Sequence, residues 1–106
     1  MIDTEKIWDI DDIKMADRAA GRYFFEQSSM RFFRSRIGNT VYQGPGGIYF
    51  ITSEQFVGSQ ETAPRKFTVR RFIPDPVDIR TVSDFNNLTR SQAHTIAKRL
   101  AKGLQP

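Results

Sequence analysis

Apolar residues recur at helical spacing near both ends of the chain, and they alternate with polar residues in its middle. Near the N-terminus, Ile10, Ile13, Ala16 and Ala20 lie three or four positions apart, so the pattern predicts an amphipathic helix over residues 10–20. Such a helix must cover its apolar stripe with another element of the fold.

The C-terminal segment carries the clearest helix pattern. Thr89, followed three residues later by Gln92, is typical of a capping box, and Gly103 lies where a helix end favours a left-handed residue. The pattern therefore predicts a second helix over residues 90–102. Its apolar stripe consists of Ala93, Ile96, Ala97, Leu100 and Ala101.

Three segments in the middle of the chain are rich in aromatic and β-branched residues and are bounded by Gly, Pro, Asn or Ser, which is typical of strands. A fourth segment follows Pro74-Asp75-Pro76, which predicts a turn, and the cluster Gly44-Pro45-Gly46-Gly47 predicts a loop. The predicted strands are residues 30–37, 48–53, 65–73 and 77–85, with a short extended segment at 40–42.

Alternation is clearest in the third predicted strand, where it separates two sets of side chains. One face carries Phe67, Val69, Arg71 and Ile73, and the other carries Lys66, Thr68, Arg70 and Phe72. The element order is helix, three or four antiparallel strands, helix, which predicts the α+β class. We expect a single two-layer domain over residues 1–106, with the N-terminal and C-terminal helices on one face of the sheet. Residues 1–8 either are flexible or dock Ile7 and Trp8 onto the body of the domain.

The composition indicates a cytoplasmic protein. Cysteine is absent from the 106 residues, which excludes disulfide bonds and thiolate metal sites. Apolar runs fall short of the length needed to span a bilayer, and the acidic N-terminus lacks the layout of a signal peptide. We therefore expect no membrane association.

Charge is distributed unevenly along the chain, whose net charge is +4. Residues 1–29 contain seven acidic and four basic side chains, whereas residues 30–106 contain five acidic and twelve basic ones. Ordinary surface solvation is one interpretation, and a basic surface that binds a polyanion is the other. The candidate binding residues are Arg31, Arg34, Arg36, Lys66, Arg70, Arg90, Lys98 and Lys102.

Catalytic chemistry finds little support in the sequence. His94 is the single histidine and lies on the predicted C-terminal helix among basic residues, while Glu54 is an isolated carboxylate near a strand end. Neither a zinc-ligand spacing nor a phosphate-binding loop motif occurs. We therefore expect a protein without enzymatic activity, catalytic residues, cofactor or bound metal.

Three motifs in the strands are specific enough for comparison. They are Met30-Arg31-Phe32-Phe33 with Ser35-Arg36-Ile37, Tyr49-Phe50-Ile51-Thr52-Ser53-Glu54, and Phe67-Thr68-Val69-Arg70. Together they resemble a group of small proteins of uncharacterised function that are encoded by phages, prophages and other mobile elements. The resemblance implies an accessory protein that acts on host machinery by binding.

The predicted function is therefore that of a non-enzymatic accessory protein that binds a macromolecule. The partner would be a host or phage protein, such as a defence factor, bound through exposed aromatic side chains among Phe32, Phe33, Tyr49 and Phe72. The alternative is a nucleic-acid-binding domain that uses an arginine-rich sheet face. We expect a monomer or a small homo-oligomer.

Overall fold

Two helices and four strands follow one another in a computed structural model of the chain, which describes residues 7–22, 36–54, 65–82 and 88–105. In chain order they are α1 (Ile10–Ala19), β1 (Arg36–Gly44), β2 (Gly47–Glu54), β3 (Lys66–Pro74), β4 (Val77–Thr81) and α2 (Arg90–Ala101). The strands form one antiparallel sheet in the order β1-β2-β3-β4. The predicted α+β class, both helices and the antiparallel sheet are therefore confirmed.

The first strand differs from its prediction. β1 continues through Gly38 and Asn39, where the pattern predicted the strand to stop. The pairing register of β1 against β2 shifts between Ile37 and Val41, so the glycine and asparagine lie at an irregularity inside a continuous strand. Residues 30–35 of the predicted strand lie outside the described residues.

The two helices lie on opposite faces of the sheet. Side chains alternate along β2, so that Ile48 and Phe50 pack with α1 while Tyr49 and Ile51 pack with α2. The architecture therefore has three layers, and the predicted two-layer arrangement with both helices on one face is wrong. The physical reason is that six successive residues of β2 are buried, which requires a covering layer on each face.

α1 crosses the sheet from one edge strand to the other. Before the helix, the N–H of Trp8 donates to Oε1 of Gln43 on β1 at 2.9 Å. After the helix, Arg22 pairs with Asp78 on β4 at 2.7 Å. The hydrogen bond from Arg80 lowers the pKa of the Asp78 carboxyl below its ordinary value, and the charge of Arg22 adds to this effect. Contacts at both ends therefore hold α1 across the sheet.

The sequence around α1 explains where the helix begins and ends. Asp9 accepts a hydrogen bond from the N–H of Asp12 at 2.8 Å, and the Asp12 carboxylate accepts one from the N–H of Asp9 at 3.3 Å, which completes a capping box. Gly21 ends the helix with φ of 75°. Between these ends, Ile10 and Ile13 are buried against the sheet.

Three alanines bring α2 close to the opposite face. Ala93, Ala97 and Ala101 recur every four residues and are buried, and their small side chains let the helix backbone approach the first three strands. Ile96 and Leu100 are partly buried beside them and pack against the same cluster. The predicted apolar stripe is confirmed, with the alanines at its centre.

The turn between β1 and β2 closes the C-terminal end of α2. The N–H of Gly46 donates to the carbonyl of Ala101 at 3.0 Å. Gly103 has φ of 80° and donates to the carbonyl of Leu100 at 2.9 Å, while the following N–H donates to Arg99 at 3.0 Å, as in a Schellman motif. The last carbonyls of α2 thus receive hydrogen bonds from the residues that end the helix and from the turn between β1 and β2.

Candidate functional site

The predicted binding residues do not share one surface. Arg31 and Arg34 lie outside the described residues, and Arg36 is described only through the backbone of β1. Lys66 and Arg70 alternate with the residues of β3 that face α2, so they lie on the α1 side of the sheet. The three remaining candidates lie on α2, on the opposite side.

Arg70 takes part in a polar network on the α1 side of the sheet. Its guanidinium donates to Thr52 Oγ1 at 3.0 Å, contacts Glu54 Oε1 at 3.2 Å and also donates to Thr81. Glu54 accepts hydrogen bonds from Thr52 at 2.8 Å and from Thr68 at 3.1 Å. Both threonines are buried, so this carboxylate and this guanidinium serve to satisfy one another and their hydroxyl neighbours.

The outward side of α2 is polar and basic along its whole length. The helix contains no acidic residue, and Arg90, Lys98 and Lys102 are exposed at multiples of four positions. These three cations form no ion pair with any residue that the structure describes. We call the exposed residues of this helix side the basic stripe: Arg90, Ser91, Gln92, Thr95, Lys98, Arg99 and Lys102.

Two further arginines lie on the α2 side of the sheet. Arg71 of β3 is exposed, and its guanidinium carbon lies 5.8 Å from the centroid of the Tyr49 ring. Arg65, just before β3, donates to the carbonyl and hydroxyl oxygens of Ser53 at 3.0 Å and 2.8 Å. Neither arginine is among the candidate binding residues that the sequence indicates. The sequence did contain the information for Arg71, because alternation in the third predicted strand places that residue on the same face as Val69.

A pocket of about 470 Å³ opens between the first turns of α2 and the sheet. We call it the α2 pocket. Arg65, Arg90 and His94 line it, together with the polar side chains of Asn39 and Ser53. The described residues that line it include no acidic side chain. The pocket therefore joins two guanidinium groups and an imidazole at one end of the basic stripe.

A hydrogen bond fixes the imidazole in this pocket. Nδ1 of His94 lies 2.8 Å from the hydroxyl of Tyr42 on β1, and the two rings meet edge to face with centroids 5.8 Å apart. Among the residues that the structure describes, Nε2 has no hydrogen-bond partner. The hydrogen bond at Nδ1 thus orients the ring, and Nε2 is available to bind a ligand.

In the described ranges, no group of three or more His, Asp or Glu side chains is placed to hold a metal ion. No helix within those same ranges combines the length and the apolar composition that crossing a membrane requires.

Comparison with known proteins identifies the family. Residues 9–98, from the N-cap of α1 into the third turn of α2, match the family described as "Family of unknown function (DUF7447)". The chain belongs to DUF7447. The expected membership of an uncharacterised family is confirmed. The DUF7447 match includes Arg65, Arg90 and His94 of the α2 pocket and ends before Arg99 and Lys102. No curated protein and no solved structure matches the chain.

Proposed function

We propose that this DUF7447 protein is a non-enzymatic nucleic-acid-binding domain that contacts phosphates through the basic stripe of α2. The outward side of that helix carries the proposal, because its cations have no carboxylate partner among the described residues. A cation that forms no ion pair within the protein is available to pair with an external anion, and no neighbouring carboxylate weakens that attraction. The Ser, Thr and Gln side chains between the cations are common donors to phosphate oxygens.

The three-layer fold supports this proposal by separating charge. Asp9, Asp11 and Asp12 lie at the start of α1, on the face opposite α2. These three carboxylates therefore do not lie beside the basic stripe, because the sheet lies between α1 and α2. Arg71 adds a further exposed cation on the α2 side. An extended basic surface of this kind attracts a polyanion over a distance set by the salt concentration.

Binding to a host or phage protein is the alternative, and it has less support. Of the aromatic side chains that would form such a surface, Tyr49 and Phe72 are buried in the two core clusters. Phe32 and Phe33 lie outside the described residues. The proposal retains a cytoplasmic location and a mobile-element origin as expectations, the second because of the motif resemblance. It also retains a monomer or small homo-oligomer that works without a cofactor.

Salt dependence provides the test of the proposed function. The wild-type protein is expected to bind a DNA duplex, or single-stranded RNA of the same sequence, with an affinity that falls steeply as salt rises. Lys98→Gln and Lys102→Gln should each reduce the slope of log affinity against log salt by about one, because each removes a phosphate contact. Fluorescence anisotropy at several salt concentrations measures both quantities.

Lys14→Gln is the matched control for these variants. Lys14 is exposed on α1, so the same chemical change is made on the opposite face of the sheet. The control should keep the wild-type slope. Equal slopes for all three variants, or no binding of either nucleic acid by folded protein at low salt, would contradict the proposal and leave a protein partner as the function to test.

A further inference from the structure

We propose that the α2 pocket binds a phosphate monoester, either at the end of a nucleic-acid strand or on a free nucleotide. The inference deepens the proposed function and rests on it for the strand-end source. The proposed site is a pocket lined by two guanidinium groups and an imidazole, whereas the basic stripe is an open helix surface.

The sheet holds the first cation at the wall of the pocket. One nitrogen of Arg65, Nη1, donates to both oxygens of Ser53, at 3.0 Å to the carbonyl and 2.8 Å to the hydroxyl. Ser53 is buried in β2, so the guanidinium is anchored to a rigid strand. A positioned guanidinium loses little further freedom when it binds a phosphate through its planar fork of donors.

The helix supplies the second and third groups. Arg90 and His94 are four residues apart on α2, so they lie one above the other on adjacent turns and both line the pocket. When the Tyr42 hydroxyl donates to Nδ1 of His94, the proton of the neutral ring is on Nε2, which then serves as a donor.

The number and type of donors match a monoester better than an internal phosphodiester. A terminal phosphate carries up to two negative charges and three free oxygens, whereas an internal phosphate carries one charge and two free oxygens. The pocket lining offers three cationic or donor groups from two different elements, which suits the larger charge and the third free oxygen of a monoester. Ile51 and Phe67 also line the pocket and provide apolar surface for the sugar or base attached to it.

The experiment compares oligonucleotides that differ only at their ends. One carries a 5′-phosphate, one carries a 3′-phosphate, and one ends in hydroxyl groups; thymidine monophosphate supplies the free nucleotide. With wild-type protein, a terminal phosphate is expected to strengthen binding about tenfold, the effect of one charge-assisted hydrogen bond or more. Arg90→Gln and His94→Gln should reduce that ratio towards one.

Lys102→Gln is the control, because Lys102 lies at the other end of the same helix, away from the pocket. It should weaken the binding of all three oligonucleotides and preserve the ratio between the phosphate-ended and the hydroxyl-ended ones. The His94 ring resonances in NMR spectra provide a second measurement. Thymidine monophosphate should shift them in the wild-type protein and in Lys102→Gln, and it should not shift them in Arg90→Gln. Circular dichroism confirms that each variant remains folded.

The outcomes separate the two proposals. A preference for the terminal phosphate that is lost in Arg90→Gln supports a strand-end site. Binding of thymidine monophosphate with no preference between oligonucleotides supports the same pocket with a free nucleotide as its ligand. If none of the three oligonucleotides binds but the nucleotide still shifts the His94 resonances, the proposed function fails and the pocket assignment stands. Equal binding of all oligonucleotides, with His94 unmoved by the nucleotide, overturns the pocket assignment alone.

Discussion

Replacing Phe50 with alanine is expected to lower the free energy of unfolding by about 3–5 kcal/mol. Phe50 is 0% exposed and forms a cluster with Ile13, Ile48 and Phe72 between the sheet and α1. The change removes the ring from the core and leaves a cavity, which α1 cannot easily fill because contacts at both ends hold it across the sheet. Trp8 lies 4.9 Å from Phe72, ring to ring, so its fluorescence can follow urea unfolding of this cluster.

A loss of this size is a large fraction of the stability of a small domain. Met15→Ala is the control, because Met15 lies on α1 with 71% of its surface exposed. That variant should stay within about 0.5 kcal/mol of the wild type. Matching unfolding midpoints for Phe50→Ala and Met15→Ala would contradict the packing of α1 on the sheet.

Replacing Gly46 with alanine is expected to cost about 3 kcal/mol of stability through overpacking at the end of α2. A Cβ on Gly46 would lie 1.9 Å from the carbonyl oxygen of Leu100 and 2.6 Å from the backbone nitrogen of Gly103. Backbone atoms cannot rotate aside as a side chain can, so the turn would have to move away from the helix. The hydrogen bond from Gly46 to Ala101 would then be lost. Thermal unfolding measures the cost.

Gly21→Ala provides a matched comparison at the other helix end. A Cβ on Gly21 would meet no atom within 4 Å, so that variant carries only the cost of its left-handed backbone, about 1–2 kcal/mol. Hydrogen exchange separates the two effects. Gly46→Ala should speed exchange in the last turn of α2, whereas Gly21→Ala should leave that turn protected relative to the rest of the helix. Equal loss of protection there in both variants would count against the close approach of turn and helix.

The features that the sequence predicts correctly are local. Thr89 and Gln92 define the start of α2 because a capping box depends on residues three positions apart, and the structure contains both of its hydrogen bonds. Alternation in β3 likewise predicts which residues share a face, and Phe67 and Phe72 pack in different clusters as expected. Such patterns involve neighbours along the chain, so one sequence is enough to show them.

The features that the sequence does not predict depend on contacts between distant segments. The side of the sheet that α1 covers is set by its packing on Ile48 and Phe50, about forty residues away along the chain. A signal was present, because the continuous apolar run from Ile48 to Ile51 is typical of a strand covered on both faces. The α2 pocket also could not be predicted from local sequence patterns. Arg65 and His94 come together in it only after the sheet and α2 have packed against each other.

Because the two helices lie on opposite faces of the sheet, charge is distributed unevenly across the molecule. Cations without ion-pair partners in the described part of the chain line α2, whereas on the α1 side carboxylates such as Asp9 and Asp11 offset cations such as Lys14. Positive charge among the described residues is therefore concentrated on one face of the sheet, which makes a charge dipole across it. In the field of a polyanion, a dipole experiences a torque as well as an attraction. We expect the protein to rotate during its approach so that α2 leads, which would make a larger fraction of collisions productive before any specific contact forms.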